Sequence, residues 1–290
     1  MNILVTGSNG QLGSEIRDLK LDYLDFNFFF MDLPELDICS SDQLNFFVKE
    51  NNITTVINCA AYTNVDKAEK DFENARRVNV DGVINLVNVM GKVGGKLIQI
   101  STDYVFDGNN FLPYVESDQA NPVGVYGNTK RNGELAVINS EIDAIVIRTS
   151  WLYSAYGNNF VKTMLKCGNE KEEVGVIFDQ VGTPTNASDL AKACLDILCY
   201  NNLTEISKKG KIYHYSNEGV ASWYDFTKAI FEFGNINCRV TPIQTKDFPT
   251  HVKRPHFSVL NKNKIKNDFG LTTTYWKDSL KKCINKLNKI

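Results

Sequence analysis

Two side chains in the run VYGNTKRNGE, residues 125–134, have the chemistry to move a proton: Tyr126 and Lys130. Four positions apart on a helix they share one face, so both can project into one cleft. A free phenol keeps its proton to about pH 10, and an ammonium stays charged to about the same pH. A neighbouring positive charge stabilises the phenolate. The pair is therefore expected to lower the tyrosine pKa, making it a proton donor or acceptor near neutrality. An exposed pair on an ordinary helix would carry the same letters, but a third residue favours chemistry. The run ISTDYVF, residues 100–106, ends an apolar stretch at Thr102, and α/β folds bind ligands at the carboxyl edge of the sheet. Thr102 is expected to hydrogen-bond the substrate oxygen that Tyr126 protonates; its alternative is a turn or helix cap.

A second constellation lies at the N-terminus. VTGSNGQLGSE sets Gly7, Gly10 and Gly13 in GxxGxxG spacing, with Gln11 and Leu12 inside the turn. A tight strand-to-helix turn needs backbone angles that glycine adopts without strain. The helix start then offers free N–H groups to a pyrophosphate that no Cβ keeps away. The expectation is a dinucleotide. Asp32 follows Gly13 by 19 positions, where an acidic residue bonds the adenosine ribose hydroxyls. Its charge would repel a 2′-phosphate, which favours NADH over NADPH; a surface aspartate would read the same. Asp37 and Ile38 are expected under the adenine. Ala60 and Ala61, followed by Tyr62, are small enough to let a cofactor lie against the backbone, or they serve simple helix–sheet packing.

The elements that must position these residues alternate. Strands are expected at NILVTG, NFFFMD, TTVINCAA, KLIQIST and AIVIRTSW. Helices are expected over 11–20, over 40–51 with a Ser40–Gln43 capping box, over roughly 66–91, and over 126–139. Continuously apolar strands are those of a parallel sheet covered on both faces. The fold class expected is α/β, a doubly wound, Rossmann-like parallel sheet with a smaller, interleaved C-terminal substrate domain. The dinucleotide domain is placed at 1–150 together with 176–202, and the substrate domain at 151–175 and 203–290. VGVIFDQ reads as a further strand, and Ser222 with Asp225 as a helix start. Pro242, Pro249 and Pro255 make 240–257 loop-rich.

Bulk properties exclude some classes. At 290 residues, 43% hydrophobic, the chain can bury a large core. A net charge of −2 gives no reason to expect nucleic acid or an anionic membrane as partner. The lysines at 281, 282, 286 and 289 read as the solvated face of a last helix. Seven cysteines form no CxxC pair, so no zinc site is expected. No run approaches the roughly 18 apolar residues that span a bilayer. The first residues enter a strand without a signal peptide, so a reducing cytoplasm is expected.

Taken together, TGxxGxxG, the strand-end STD and YxxxK resemble the extended short-chain dehydrogenase/reductase superfamily. Within it the chain is similar to the dTDP-4-dehydrorhamnose reductases, through NCAAYTNVDKAE, STDYVFDG, NPVGVYGNTKRNGE, IRTSWLY, DQVGTPT and KRPHFSVLNKNKI. The resemblance implies hydride transfer from NADPH or NADH to the C4 ketone of a dTDP-linked 6-deoxyhexose. The product implied is dTDP-L-rhamnose, a precursor of cell-surface polysaccharide. Tyr126 would protonate O4, Lys130 would tune it and hold the ribose, and Thr102 would orient the ketone. Asp103 and Trp151 match positions that contact the sugar nucleotide, although Trp151 alone would pass for a buried aromatic. Arg254 could meet the diphosphate or lie in solvent. Some family members are magnesium-bridged homodimers. Glu15 is suitably placed for such a metal, but Ser188 stands where another acid is wanted, so magnesium is not carried over. Two alternatives remain. Sugar-nucleotide dehydratases and epimerases share the fold, but the dehydratases follow the threonine with Asp-Glu, where Asp103-Tyr104 stands here. A non-catalytic relative, the regulatory subunit of methionine adenosyltransferase, retains the same tyrosine–lysine stretch.

Overall fold

The apolar runs become strands because both of their faces are covered. In the computed structural model, which describes residues 1–200, 210–248, 250 and 252–289, the strands are β1 (Asn2–Thr6), β2 (Asn27–Met31), β3 (Thr55–Asn58), β4 (Lys96–Thr102) and β5 (Asp143–Thr149). They join the strand Lys211–His214 in one parallel sheet ordered Lys211–His214, β5, β4, β3, β1, β2. On one face Ile3, Val5, Ile98 and Ile145 pack against α1 (Gln11–Leu19) and the helix Ala187–Leu198. On the other, Leu4, Val56, Leu97 and Val146 pack against α2 (Ser41–Glu50) and the helices that follow it. The chain runs from β1 to β2 on one side and returns to β3 on the other. That reversal makes β1/β3 the switch point where such sheets bind ligands.

The expected single helix over 66–91 is three pieces: α3 (Val65–Ala68), α4 (Phe72–Arg76) and α5 (Gly82–Val93), with a π-helical turn over Arg77–Asp81 between the last two. A π turn inserts an extra residue per turn and is common at functional sites. Here Asn79 is turned toward the cleft side, donating to the Tyr62 carbonyl at 3.1 Å and accepting from the Tyr62 N–H at 2.9 Å. A Cβ at Gly82 would lie 2.7 Å from the Ile38 side chain, so helix and loop meet there closely. Only half of the expected Ser40–Gln43 box forms. Ser40 accepts from the Gln43 N–H, but the Gln43 side chain turns to the Asp37 N–H. The box at Ser222 and Asp225 is complete.

Three C-terminal features differ from expectation. Glu173–Ile177 pairs with Arg239–Ile243 in a separate two-stranded sheet, not in the main one. Pro242 lies inside that second strand, tolerated because a proline without an N–H loses nothing on an outer edge. Conversely Lys211–His214, expected in the C-terminal unit, closes the main sheet beside β5, burying Tyr213. The boundary expected at 202/203, and Pro249, lie outside the described residues. A third core, with Phe226, Ile230, Trp276 and Leu280 at its centre, holds this C-terminal unit together. Lys281 and Lys282 are exposed as expected. Lys286 is not merely solvated: it donates to Glu15 and to Asp18, each at 2.6 Å. Ser154 takes the other Glu15 oxygen at 2.5 Å, so this buried carboxylate is satisfied within the chain. Among the described residues no helix is long and apolar enough to cross a membrane. No group of three His, Cys, Asp or Glu side chains among them is placed to hold a metal ion.

Candidate active site

A cleft of about 740 Å³ opens along the carboxyl edge of the sheet. Its floor begins at the glycine turn after β1. Gly7 has φ +59°, and a Cβ there would lie 2.6 Å from the Ala60 nitrogen. The turn thus touches the loop after β3 directly, across the switch point. Gly10, Gln11 and Leu12 line the cleft. Gly13 does not; a Cβ there would meet the Ser8 backbone at 2.5 Å, so Gly13 lets α1 seat against its own turn. Asp32 lines the cleft at the end of β2 and accepts from the Asn9 and Leu33 N–H groups, both at 2.9 Å. Asp37, Ile38, Ala60, Ala61 and Tyr62 line the same end. Arg77 joins them 3.5 Å from Asp37. The sequence pattern placed Arg77 within one long helix; it stands instead at the start of the π turn and lines the cleft.

At the other end stand Thr102, Asp103, Tyr126, Lys130 and Trp151. The helix α6 (Val125–Ile138) begins at Gly124, which has no side chain to cap it. Glu69 caps it instead, accepting from the Val125 N–H at 2.7 Å. A Cβ at Gly127 would lie 2.2 Å from the Tyr104 carbonyl, so the first turn of α6 presses on the end of β4. Tyr104 also meets the Tyr126 ring edge-on, at 5.5 Å between centroids. Thr102 Oγ1 donates to Asp103 Oδ1 at 3.0 Å and accepts from the Tyr104 N–H at 3.2 Å.

The electrostatics correct one expectation. Burial pushes the Tyr126 phenol up to about 12, with the nearby Thr102 hydroxyl pulling the other way. Lys130, buried, is lowered to about 8 by the same desolvation, against which the Glu134 carboxylate works. Its ammonium donates to the Ile100 carbonyl at 2.7 Å. Desolvation therefore dominates at the phenol, which is a held proton rather than an ionised base. Asp103 is raised to about 6, chiefly by burial.

Two buried polar atoms at this end have no hydrogen-bond partner within bonding geometry, Asp103 Oδ2 and Thr149 Oγ1, although the Ser258 hydroxyl lies near the Asp103 carboxylate and favours its charge. Thr149 sits beside Thr102 across the β4–β5 ladder and lines the cleft. Its only signal in the sequence was its place in RTSW, two residues before Trp151. Trp151 has φ +47°, uncommon for a residue with a side chain. It stacks on Trp223 at 3.5 Å between centroids, in a space that a Cβ on Gly182 would fill. Trp223 was not anticipated. Arg254 does not line the cleft; it pairs with Asp66 at 3.2 Å. The cradle at Gly7 and the two orphaned polar atoms fit a dinucleotide and a polar partner lying end to end.

Comparison with known proteins agrees with this geometry. The family model described as RmlD substrate binding domain matches residues 1–289. The dTDP-4-dehydrorhamnose reductase of Aggregatibacter actinomycetemcomitans is 38% identical, over 96% of this chain and 97% of the relative. A crystal structure of a dTDP-4-dehydrorhamnose reductase from Clostridium acetobutylicum superposes with a TM-score of 0.92 at 41% identity, covering 99% of this chain and 100% of that one. Another from Bacillus anthracis, in complex with NADP, gives 0.90 at 36% identity, with 98% and 99% covered. The chain belongs to the dTDP-4-dehydrorhamnose reductase family, within the extended short-chain dehydrogenases/reductases.

Proposed function

We propose that the protein reduces the C4 ketone of dTDP-4-dehydro-6-deoxy-L-mannose to dTDP-L-rhamnose with NADPH or NADH. The observation that carries this reading is the meeting of Tyr126, Thr102 and Lys130 at one end of a glycine-floored cleft. The dinucleotide, when bound, supplies the hydride that becomes the C4 hydrogen. Tyr126 supplies the proton to O4, so ketone, hydride and proton together make the secondary alcohol. The raised phenol pKa keeps that proton in place until negative charge develops on O4. Thr102, on releasing Asp103 Oδ1, offers its hydroxyl proton to the same oxygen, and Asp103 Oδ2 and Thr149 Oγ1 are open to polar groups of what fills the cleft. Lys130, leaving the Ile100 carbonyl, has donors for ribose hydroxyls and a charge that favours the forming phenolate. The indole of Trp151 forms the wall on the sugar-nucleotide side. The diphosphate role expected of Arg254 would require it to release Asp66. The seven free thiols support the cytoplasm as the site of the reaction.

The test is stoichiometry. Purified protein with NADPH and the dTDP-4-keto sugar should oxidise one NADPH per sugar reduced. Recycling of the nicotinamide without net oxidation would identify an epimerase or dehydratase. Absence of turnover together with co-purification of an adenosyltransferase would identify the regulatory subunit.

Cofactor preference is a second outcome. Asp32 is held toward the cleft by two backbone N–H groups, and its charge opposes a 2′-phosphate. The NADP complex of the Bacillus anthracis relative supports a site that accepts the phosphate nonetheless. Asp32→Ala should shift the ratio of NADPH to NADH affinity about tenfold toward NADPH, equivalent to about 1.4 kcal/mol of removed repulsion. Titration of both nucleotides by fluorescence measures it; an unchanged ratio would remove Asp32 from the ribose site.

A further inference from the structure

Lys130 is a cation in a dry place, and something must keep it charged. Its surroundings come from four elements. The Ile100 carbonyl of β4 accepts a hydrogen bond from it. The Cys59 thiol lies just past β3, its pKa raised by burial so that it stays neutral. Tyr126 and Glu134 lie one turn to either side on α6. Behind Glu134 stand the guanidinium groups of Arg148 on β5 and Arg131 on α6.

Glu134 is fully buried and fully bonded. Its Oε1 accepts from Ser101 Oγ at 2.6 Å and from Arg148 Nε at 2.8 Å. Its Oε2 accepts from Arg148 Nη2 and Arg131 Nη1, both at 2.8 Å. Ser101, Arg148 and His214 are neighbours in register across β4, β5 and the strand Lys211–His214. The third Arg148 nitrogen meets His214 Nε2 at 3.4 Å, and His214 Nδ1 lies 3.0 Å from the Tyr114 carbonyl. Burial and the adjacent guanidinium lower the His214 pKa to about 3, so a neutral ring donates to Tyr114 and accepts from Arg148. One carboxylate thus ties the helix of Tyr126 and Lys130 to the two strands beneath it.

We infer that Glu134 is a positioning residue for the proton-donating pair. It locks α6 onto β4 and β5, and it places beside Lys130 the negative charge that keeps the ammonium charged inside the cleft. Glu134 does not line the cleft; it acts through Lys130, and the inference rests on the roles of Tyr126 and Lys130 given above. A carboxylate serving only as an anchor for Arg148 would hold the helix equally well but would leave the titration of Lys130 alone.

That difference is measurable. Wild-type affinity for NADPH, read by nicotinamide fluorescence, and kcat/KM should both fall as pH rises through about 8, where Lys130 discharges. Glu134→Gln keeps the shape and removes the charge. Its midpoint should fall by about one pH unit, a loss of about fivefold at pH 8 and very little at pH 6. Glu134→Asp, which keeps the charge, should restore the wild-type midpoint even at lower stability. Should Glu134→Gln fail to fold because Arg148 is left unpaired, the double variant with Arg148→Met removes both buried charges, and its midpoint must still lie below that of the wild type. Equal losses at every pH, or an unmoved midpoint in a folded variant, would overturn the inference. A wild-type protein that binds NADPH but reduces no dTDP-4-keto sugar would sink the proposed activity instead, leaving the NADPH titrations to decide Glu134.

Discussion

Tyr126→Phe should bind NADPH with near wild-type affinity and lose roughly 10²–10⁴-fold in turnover, the usual scale of positioned acid catalysis. The substitution removes only the hydroxyl. The ring stays wedged against Tyr104, and α6 keeps its Glu69 cap and its Glu134 anchor. Cofactor binding depends mainly on the glycine turn and Lys130, which the change leaves in place. With the phenol gone, the developing charge on O4 is met by the Thr102 hydroxyl, whose ordinary proton affinity makes it a poor acid. Stopped-flow loss of nicotinamide absorbance under single-turnover conditions isolates the chemical step. A variant within tenfold of wild type would show that the proton comes from elsewhere, with Asp103, raised to about 6, the first group to test.

The other large effect is expected at Gly7. Gly7→Ala meets two obstacles at once: a left-handed backbone at φ +59°, and backbone atoms of Cys59 and Ala60 within 2.8 Å of the new Cβ. The first costs about 1–2 kcal/mol. The second cannot be relieved by rotating a side chain, so the turn must move off the loop after β3 and open the floor of the cleft. NADPH affinity should drop at least about tenfold, and thermal unfolding should shift down by several degrees. Gly10→Ala is the internal control. Its Cβ would meet only the Gly7 carbonyl at 3.2 Å, with no positive φ, so unfolding should barely move. Equal unfolding temperatures for the two variants would mean that the contact across the switch point does not hold the turn.

Much of the site was legible because it depends on local spacing. Glycines at a first β-α turn, a tyrosine and lysine one helical turn apart, and a threonine at a strand end each declare a geometry within a few residues. The cleft does gather Gly7, Asp32, Thr102, Tyr126 and Lys130. What escaped was non-local. Arg77 lines the cleft from the start of a π turn that helical periodicity does not reveal. Thr149 matters through its cross-strand register with Thr102, and Trp223 through a stack formed 72 positions after Trp151. Arg254 was read as meeting the diphosphate or lying in solvent, yet Asp66, 188 positions away in sequence, pairs with it.

Sequence alone determined the first five strands and the helices α1, α2 and α6, because hydrophobic periodicity and glycine placement act over one or two turns of chain. It also determined which residues could carry a hydride acceptor's proton, since only certain side chains have the acidity and reach. Tertiary structure decided the protonation states. Tyr126 was expected to be acidified by its lysine and is instead raised by burial, because the free energy of a charge depends on how much water and which partners surround it. Those are properties of the packed interior: burial lowers the Lys130 pKa and the Glu134 carboxylate, held where β4, β5 and α6 converge, works against it, and no stretch of ten residues contains those three elements.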